Sequence, residues 1–147
     1  MSWQCARAGR KADDVPETDP VSMETLANRS IVDDFVELLY RRRAVRLAFE
    51  RHVALDYIQH NPSLPDGREA AIELLEPMFS SAAFTLDVKR VLVDANLAAI
   101  HVHARPTPDV LGGAVVDIFR LDGGKIVEHW DVLQPWPETS VNPHPMF

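Results

Sequence analysis

The sequence has a single cysteine, Cys5, among 147 residues. No disulfide can therefore form within the chain, which fits a reducing compartment, and the expected location is the cytoplasm. Cys5 lies in a polar leader far from any histidine-rich stretch, so nothing nearby would activate its thiolate. No apolar run approaches the roughly 18 residues that a membrane span requires. Positive charge is not in excess: the formal net charge is −7. That argues against a nucleic-acid partner, because counterion release from a phosphate backbone needs a cationic face. Internal repeats and low-complexity segments are also missing. The first 20 residues carry Arg7, Arg10 and Lys11 but lack the apolar stretch of a secretory signal. Asp13, Asp14, Glu17 and Asp19 fit poorly with an acidic-poor transit peptide. Residues 1–22 are expected to be a flexible N-terminal extension, and residues 23–147 a single domain.

What is present reads as a globular chain, 46% hydrophobic and 25% charged. Its length suffices for one core without disulfide or metal staples. From about residue 22 to residue 51 apolar residues recur at helical spacing, through Leu26, Ile31, Val32, Phe35, Val36, Leu38 and Leu39, then Val45, Leu47, Ala48 and Phe49. Arg41, Arg42 and Arg43 interrupt the run and predict a break between two helices. The triplet is read as a solvated helix C-terminus offsetting the dipole, with an anion contact as the alternative. Tyr57 to His60 forms a short extended piece before Asn61-Pro62 and Pro65-Asp66-Gly67, which punctuate a loop. Residues 68–79 predict a third helix, with Pro77 making its end irregular.

After Ser81 the period changes from 3.6 to 2. Phe84, Leu86 and Val88 alternate with polar residues, and four strands are predicted, over about 84–93, 97–104, 114–121 and 125–133. Helices first and an antiparallel meander after give an α+β domain. A strongly curved antiparallel or mixed sheet wrapped on the N-terminal helices would leave a cone-shaped cavity, a usual place for a ligand.

Asp122-Gly123-Gly124 between the last two strands is a hairpin signal, because glycine supplies the positive φ of tight turns. A three-residue loop pairs Leu121 with Lys125, so that Asp117 faces His129 and Val115 faces Asp131. A two-residue loop shifts the register and sets Asp117 opposite Trp130 instead. In the first register Asp117, His129 and Asp131 share one wall. Two carboxylates and an imidazole so placed perturb one another in the way proton transfer near neutral pH requires. A satisfied buried pair of Asp117 with His129 is the equally weighted structural alternative. His101 and His103, two apart on one strand, point to the same face. They are candidate metal ligands, though without a third ligand at fixed spacing no metal is expected; the favoured readings are hydrogen bonds to a ligand carbonyl or a structural role. His60 and Tyr57 are candidates for the cavity rim, with His60 and Asn61 also readable as a turn-stabilising pair.

The segments "YIQHNP", "DGREAAIELLEPMF" and "DIFRLDGGKIVEHWDVLQ" resemble the SnoaL-like polyketide cyclase family of the nuclear transport factor 2-like superfamily, over about residues 31–134. The hairpin is the most specific part. The resemblance implies the cone-shaped, cystatin-like α+β barrel fold, a homodimer formed through the open sheet face, and chemistry without a cofactor. In such cyclases an aspartate on the last strand abstracts a proton from an activated carbon while nearby groups polarise the carbonyl. Aligned on "DGGKI", that aspartate is Asp131, with Asp117 and His129 tuning it and His101 and His103 donating to an enolate oxygen. The family's pocket histidine falls at Asp117, a carboxylate here, so a tricyclic polyketide substrate does not carry over. The pattern "HNP", "DIFR" and "EHWD" is similar to a distinct branch of small SnoaL-like proteins. Trp130 and Trp136 are implied as walls or dimer contacts, and Gln134 as a ligand-binding residue.

Three functions follow as expectations. The first is a cofactor-independent lyase or isomerase acting beside the carbonyl of a small hydrophobic ligand, with Asp131, Asp117 and His129 catalytic and His60, His101, His103, Tyr57, Trp130 and Gln134 binding. The second is a non-catalytic ligand-binding or dimerisation domain of the same fold. The third is a metal-dependent enzyme using His101 and His103.

Overall fold

A computed structural model describes residues 22–147. The expected extension at residues 1–22 therefore lies, apart from Ser22, outside the described residues, as does Cys5.

Helix α1, Met23–Val36, starts where the Ser22 hydroxyl accepts a hydrogen bond from the Thr25 amide at 3.1 Å. It runs into a π-helical turn, Glu37–Arg41, and the chain then breaks at Arg43, whose φ of 57° is left-handed. The Arg43 guanidinium donates to the carbonyls of Ser81 at 3.1 Å and Phe84 at 2.6 Å, tying down this corner. Arg41 pairs with Glu37 one turn back. The arginine triplet thus breaks the helices as expected, and two of its members find partners within the protein. Helix α2, Val45–His52, leads into strand β1, Val53–Gln59, and helix α3, Arg68–Ser80, follows the loop.

Four more strands complete the chain: β2, Thr85–Asp94; β3, Leu97–Arg105; β4, Gly113–Asp122; and β5, Lys125–Pro135. The sheet order is β1-β5-β4-β3-β2, with β1 parallel to β5 and every other pair antiparallel. The fold is α+β, with a curved mixed sheet laid against the N-terminal helices. Irregularities in β1, at Val88–Arg90 and beside Leu121 add the local bending that such a sheet needs. The concave face carries Ile100, Val102, Phe119, Leu121 and Ile126 onto Val32, Phe35, Val36 and Leu39, all buried. Their removal from water is the main force holding helices to sheet.

The hairpin register differs from the expectation. Its loop has two residues, Gly123 and Gly124, both with positive φ, and Asp122 pairs with Lys125. Alone, that loop would set Asp117 opposite Trp130. A bulge intervenes, however: Leu121 pairs with Ile126, but Arg120 pairs with Glu128, leaving Val127 unopposed. The extra residue shifts the ladder by one. Asp117 therefore faces Asp131, and His129 faces Phe119. Asp117, His129 and Asp131 still share one wall, for a reason the turn does not reveal.

Candidate functional site

A cavity of about 680 Å³ lies between the concave sheet face and the helices. Its wall is mostly apolar, with Leu39, Phe49, Leu75, Met78, Phe79, Phe84, Leu86 and Val102 among the lining residues. Polar groups converge from β1, the loop after it, β4 and β5: Tyr57, Gln59, Asn61, Asp117, His129 and Asp131, together with Tyr40 from the π-helical turn. An apolar cavity of this size with a few convergent polar groups is the usual form of a small-molecule site.

The polar groups form two linked sets. In the first, Asp117 accepts from the Tyr40 hydroxyl at 2.7 Å through Oδ2, and its Oδ1 lies 3.1 Å from His129 Nε2. The other ring nitrogen, Nδ1, lies 2.8 Å from Gln59 Oε1, which also accepts from the Asn61 amide at 2.9 Å. The His129 ring is held between Phe119, at 4.7 Å between centroids, and Tyr57, at 6.4 Å, both nearly parallel to it. In the second set the Asn61 side-chain amide donates to Asp131 Oδ2. Asn61 cannot turn its oxygen there without cost, because Oδ1 accepts from the Ser63 amide at 2.8 Å. Asp131 Oδ1 has no partner among the described residues, and Asp131 lines the cavity. Burial, and after it the Asp117 carboxylate, pushes the phenols of Tyr40 and Tyr57 well above their usual range. Both are thus neutral O–H donors. Tyr40 spends its proton on Asp117. Tyr57 receives a long contact from Gln59 Nε2 at 3.4 Å and has no acceptor for its own proton among the described residues.

Of the residues expected to bind ligand, Tyr57 lines the cavity and Gln134 lies at its β5 end. Four do not line it. His101 and His103 are on the outer face, because their neighbours Ile100, Val102 and Ala104 take the inward positions of β3 and alternation sends the histidines outward. His101 Nδ1 accepts from Arg90 at 3.0 Å, and His103 donates to the Leu111 carbonyl at 2.7 Å. Phe147 stacks on His103 at 4.4 Å, with Trp136 beside both. Neither ring lines the cavity, so the pair is corrected as enolate donors, and His101 Nδ1, already bonded to a guanidinium, is a poor metal ligand. Burial, then Arg90 and Lys89, pushes the His101 imidazole down. Trp130 is likewise outward, since it pairs with Ile118 between the inward His129 and Asp131. His60 stacks on it at 4.7 Å and bonds Glu128 at 2.7 Å. His60 therefore belongs to the outer surface and not to the cavity.

Tyr40, Gln59 and Asn61 went unrecognised as site residues. Asn61 and Gln59 sit 70 residues from their partners, and Tyr40 77 residues from Asp117. The one local clue is that alternation along an extended segment puts Gln59 on the same face as Tyr57. One ligand atom from each of Asp117, His129 and Asp131 can be chosen so that all lie within 4.8 Å of one another, the spacing of a cation site. Both oxygens of Asp117 and both nitrogens of His129 are already hydrogen-bonded, however. A metal would have to break that network, so the donor set fits proton transfer better.

The SnoaL-like domain family matches residues 32–129, more than half of the chain. The chain belongs to that family. No curated protein matches this SnoaL-like chain in sequence. Among solved structures it is similar to a nuclear transport factor 2-like protein of unknown function from Mesorhizobium loti, with a TM-score of 0.67 and 19% identity over 78% of this chain and 97% of the other. It is also similar to a candidate ketosteroid isomerase from Kribbella flavida, with a TM-score of 0.66 and 20% identity over 81% and 86% of the two chains. An epoxide hydrolase from M. tuberculosis matches with a TM-score of 0.59 and 17% identity, over 76% and 85%. At these identities the SnoaL-like chain shares their fold, and chemistry must be argued from its own residues.

Proposed function

We propose that this SnoaL-like protein is a cofactor-independent enzyme that performs acid–base chemistry beside the carbonyl of a small, largely apolar ligand. The observation that carries this reading is Asp131. One of its oxygens is held by Asn61 while the other has no partner among the described residues, and the contacting pair of Asp117 with His129 lies on the same wall of the cavity. Asp131 Oδ1 would take a proton from the carbon next to the carbonyl. The C–H electron pair then moves into the carbon–carbon bond, and the carbonyl oxygen takes up the charge. The unspent Tyr57 O–H would meet that oxygen, and the Asp117–His129 pair would supply a proton. The enol so formed can be reprotonated elsewhere, attack a second carbonyl or expel a leaving group, which correspond to isomerase, aldol-type and dehydratase outcomes. The apolar wall favours a hydrophobic body around the reacting centre.

A homodimer is proposed with it, through the outer sheet face, where Leu92 and Val132 stand more than half exposed. No described helix is long and apolar enough to cross a membrane.

The test is Asp131→Asn, which keeps the shape and removes the base. A panel of cyclic and aryl ketones is followed by exchange of the α-hydrogen with deuterium in water. Exchange catalysed by the wild type should fall by at least about a hundredfold in the variant, while its thermal unfolding stays cooperative. Undiminished exchange in the variant would overturn the assignment. A ketone that raises the thermal midpoint of the wild type but is never exchanged or converted would favour a binding domain instead.

A further inference from the structure

The contact between Asp117 and His129 poses a question of proton count. Gln59 Oε1 is an acceptor, so His129 Nδ1 must carry a hydrogen to bond it at 2.8 Å. A neutral imidazole holding its hydrogen on Nδ1 shows a bare lone pair at Nε2. That lone pair would then face Asp117 Oδ1 at 3.1 Å, and Tyr40 already donates to the other oxygen. Two acceptors at that distance repel unless a proton sits between them.

The Gln59 amide could in principle turn over and offer its NH₂ group instead. It is held against that by the Asn61 backbone N–H, which donates to the same Oε1 at 2.9 Å. Turning the amide would set NH₂ against N–H. The imidazole cannot swing away either, being packed between Phe119 and Tyr57 and buried.

We infer that Gln59, locked by the Asn61 backbone, is the positioning residue that fixes His129 as the Nδ1–H tautomer and so compels the Asp117–His129 pair to keep one proton between its members. Gln59 touches no reacting atom. It decides whether the pair can donate. Were the acceptor removed, neutral His129 would place its hydrogen on Nε2, satisfy Asp117 directly and leave no spare proton. The pair would still look intact while having lost its acid. The inference deepens the proposed reaction and rests on it for its catalytic consequence, but the tautomer itself can be read without any substrate.

The experiment is long-range proton–nitrogen correlation of the histidine rings in the intact, ¹⁵N-labelled protein at a pH where His129 is neutral. His129 is assigned by the loss of its signals in His129→Gln. The expected spectrum has a protonated Nδ1 and a bare Nε2. Gln59→Leu should reverse the pattern to a protonated Nε2. Gln59→Glu retains an acceptor and should restore the Nδ1–H form. With a substrate in hand, Gln59→Leu should lower kcat by about tenfold or more while KM changes less than about twofold, and Gln59→Glu should recover part of the loss. A neutral wild-type ring with its hydrogen on Nε2 and a bare Nδ1, or a tautomer unchanged in Gln59→Leu, would overturn the inference. Turnover that survives Asp131→Asn would instead count against the proposed reaction and leave the tautomer lock standing.

Discussion

Asp117 and Asp131 are paired directly across β4 and β5, yet they share no hydrogen-bond partner. Asp117 is saturated by a tyrosine and a histidine, whereas Asp131 is held by one amide and left open on its other oxygen. Two like groups on adjacent strands thereby acquire different roles: one belongs to a proton-holding pair and the other can receive a proton. The division comes from the residues behind them and not from the carboxylates themselves.

Tyr40→Phe removes a 2.7 Å hydrogen bond from a buried hydroxyl to a carboxylate and leaves Asp117 Oδ2 unpaired. The expected loss is about 1.5–3 kcal/mol, the range for hydrogen bonds to charged groups. Urea unfolding should show a lower midpoint with an unchanged slope. A loss below about 0.5 kcal/mol would mean that solvent replaces the tyrosine.

Acid should destabilise the fold through its outer face. Hydrogen bonds from His60 and Arg120 hold the Glu128 carboxyl below its ordinary value of 4.5. A depressed carboxyl contributes stability above its unfolded value, and this is lost as pH falls through the folded one. His101, pushed below its ordinary 6.5, acts in the same direction, because the unfolded chain binds its proton first. The thermal midpoint should hold near neutral pH, decline below about pH 6.5 and fall more steeply below about pH 4.5. Glu128→Gln should flatten the lower part of that curve. A midpoint that falls as steeply in Glu128→Gln as in the wild type would rule out this origin.

His101→Ala combined with His103→Ala should leave cavity binding and turnover within about twofold of the wild type, because neither ring reaches the cavity. The pair should nevertheless lower the thermal midpoint, since His103 loses its bond to Leu111 and both lose the Phe147 stack. A collapse of turnover with the midpoint unchanged would restore these histidines to the site.

The elements most legible in the sequence were those set by local rules. The change from helical to alternating spacing located all three helices and β2 to β5, and the glycine pair located the hairpin. The register could not be read, since it depends on a bulge at Val127 that no turn residue announces. Strand β1 was seen only in part, because its partner β5 comes about 70 residues later and parallel pairing leaves no turn signal between. Asp117, His129 and Asp131 were legible as a group because they lie on one hairpin. Tyr40, Gln59 and Asn61 were not, since each meets that hairpin through tertiary packing. His101 and His103 were read by residue type, and the inward positions of β3 went to Ile100 and Val102.

The bonds that join residues 59–61 to residues 129–131 each close a loop of about 70 residues, and all of them depend on the pairing of β1 with β5. The β2 to β5 meander needs only short closures and can assemble without them. A partly folded chain can therefore display most of its sheet while Asp131 lacks its amide and His129 its acceptor. During refolding, recovery of strand signal should run ahead of recovery of ligand binding, and the interval between them times the docking of β1.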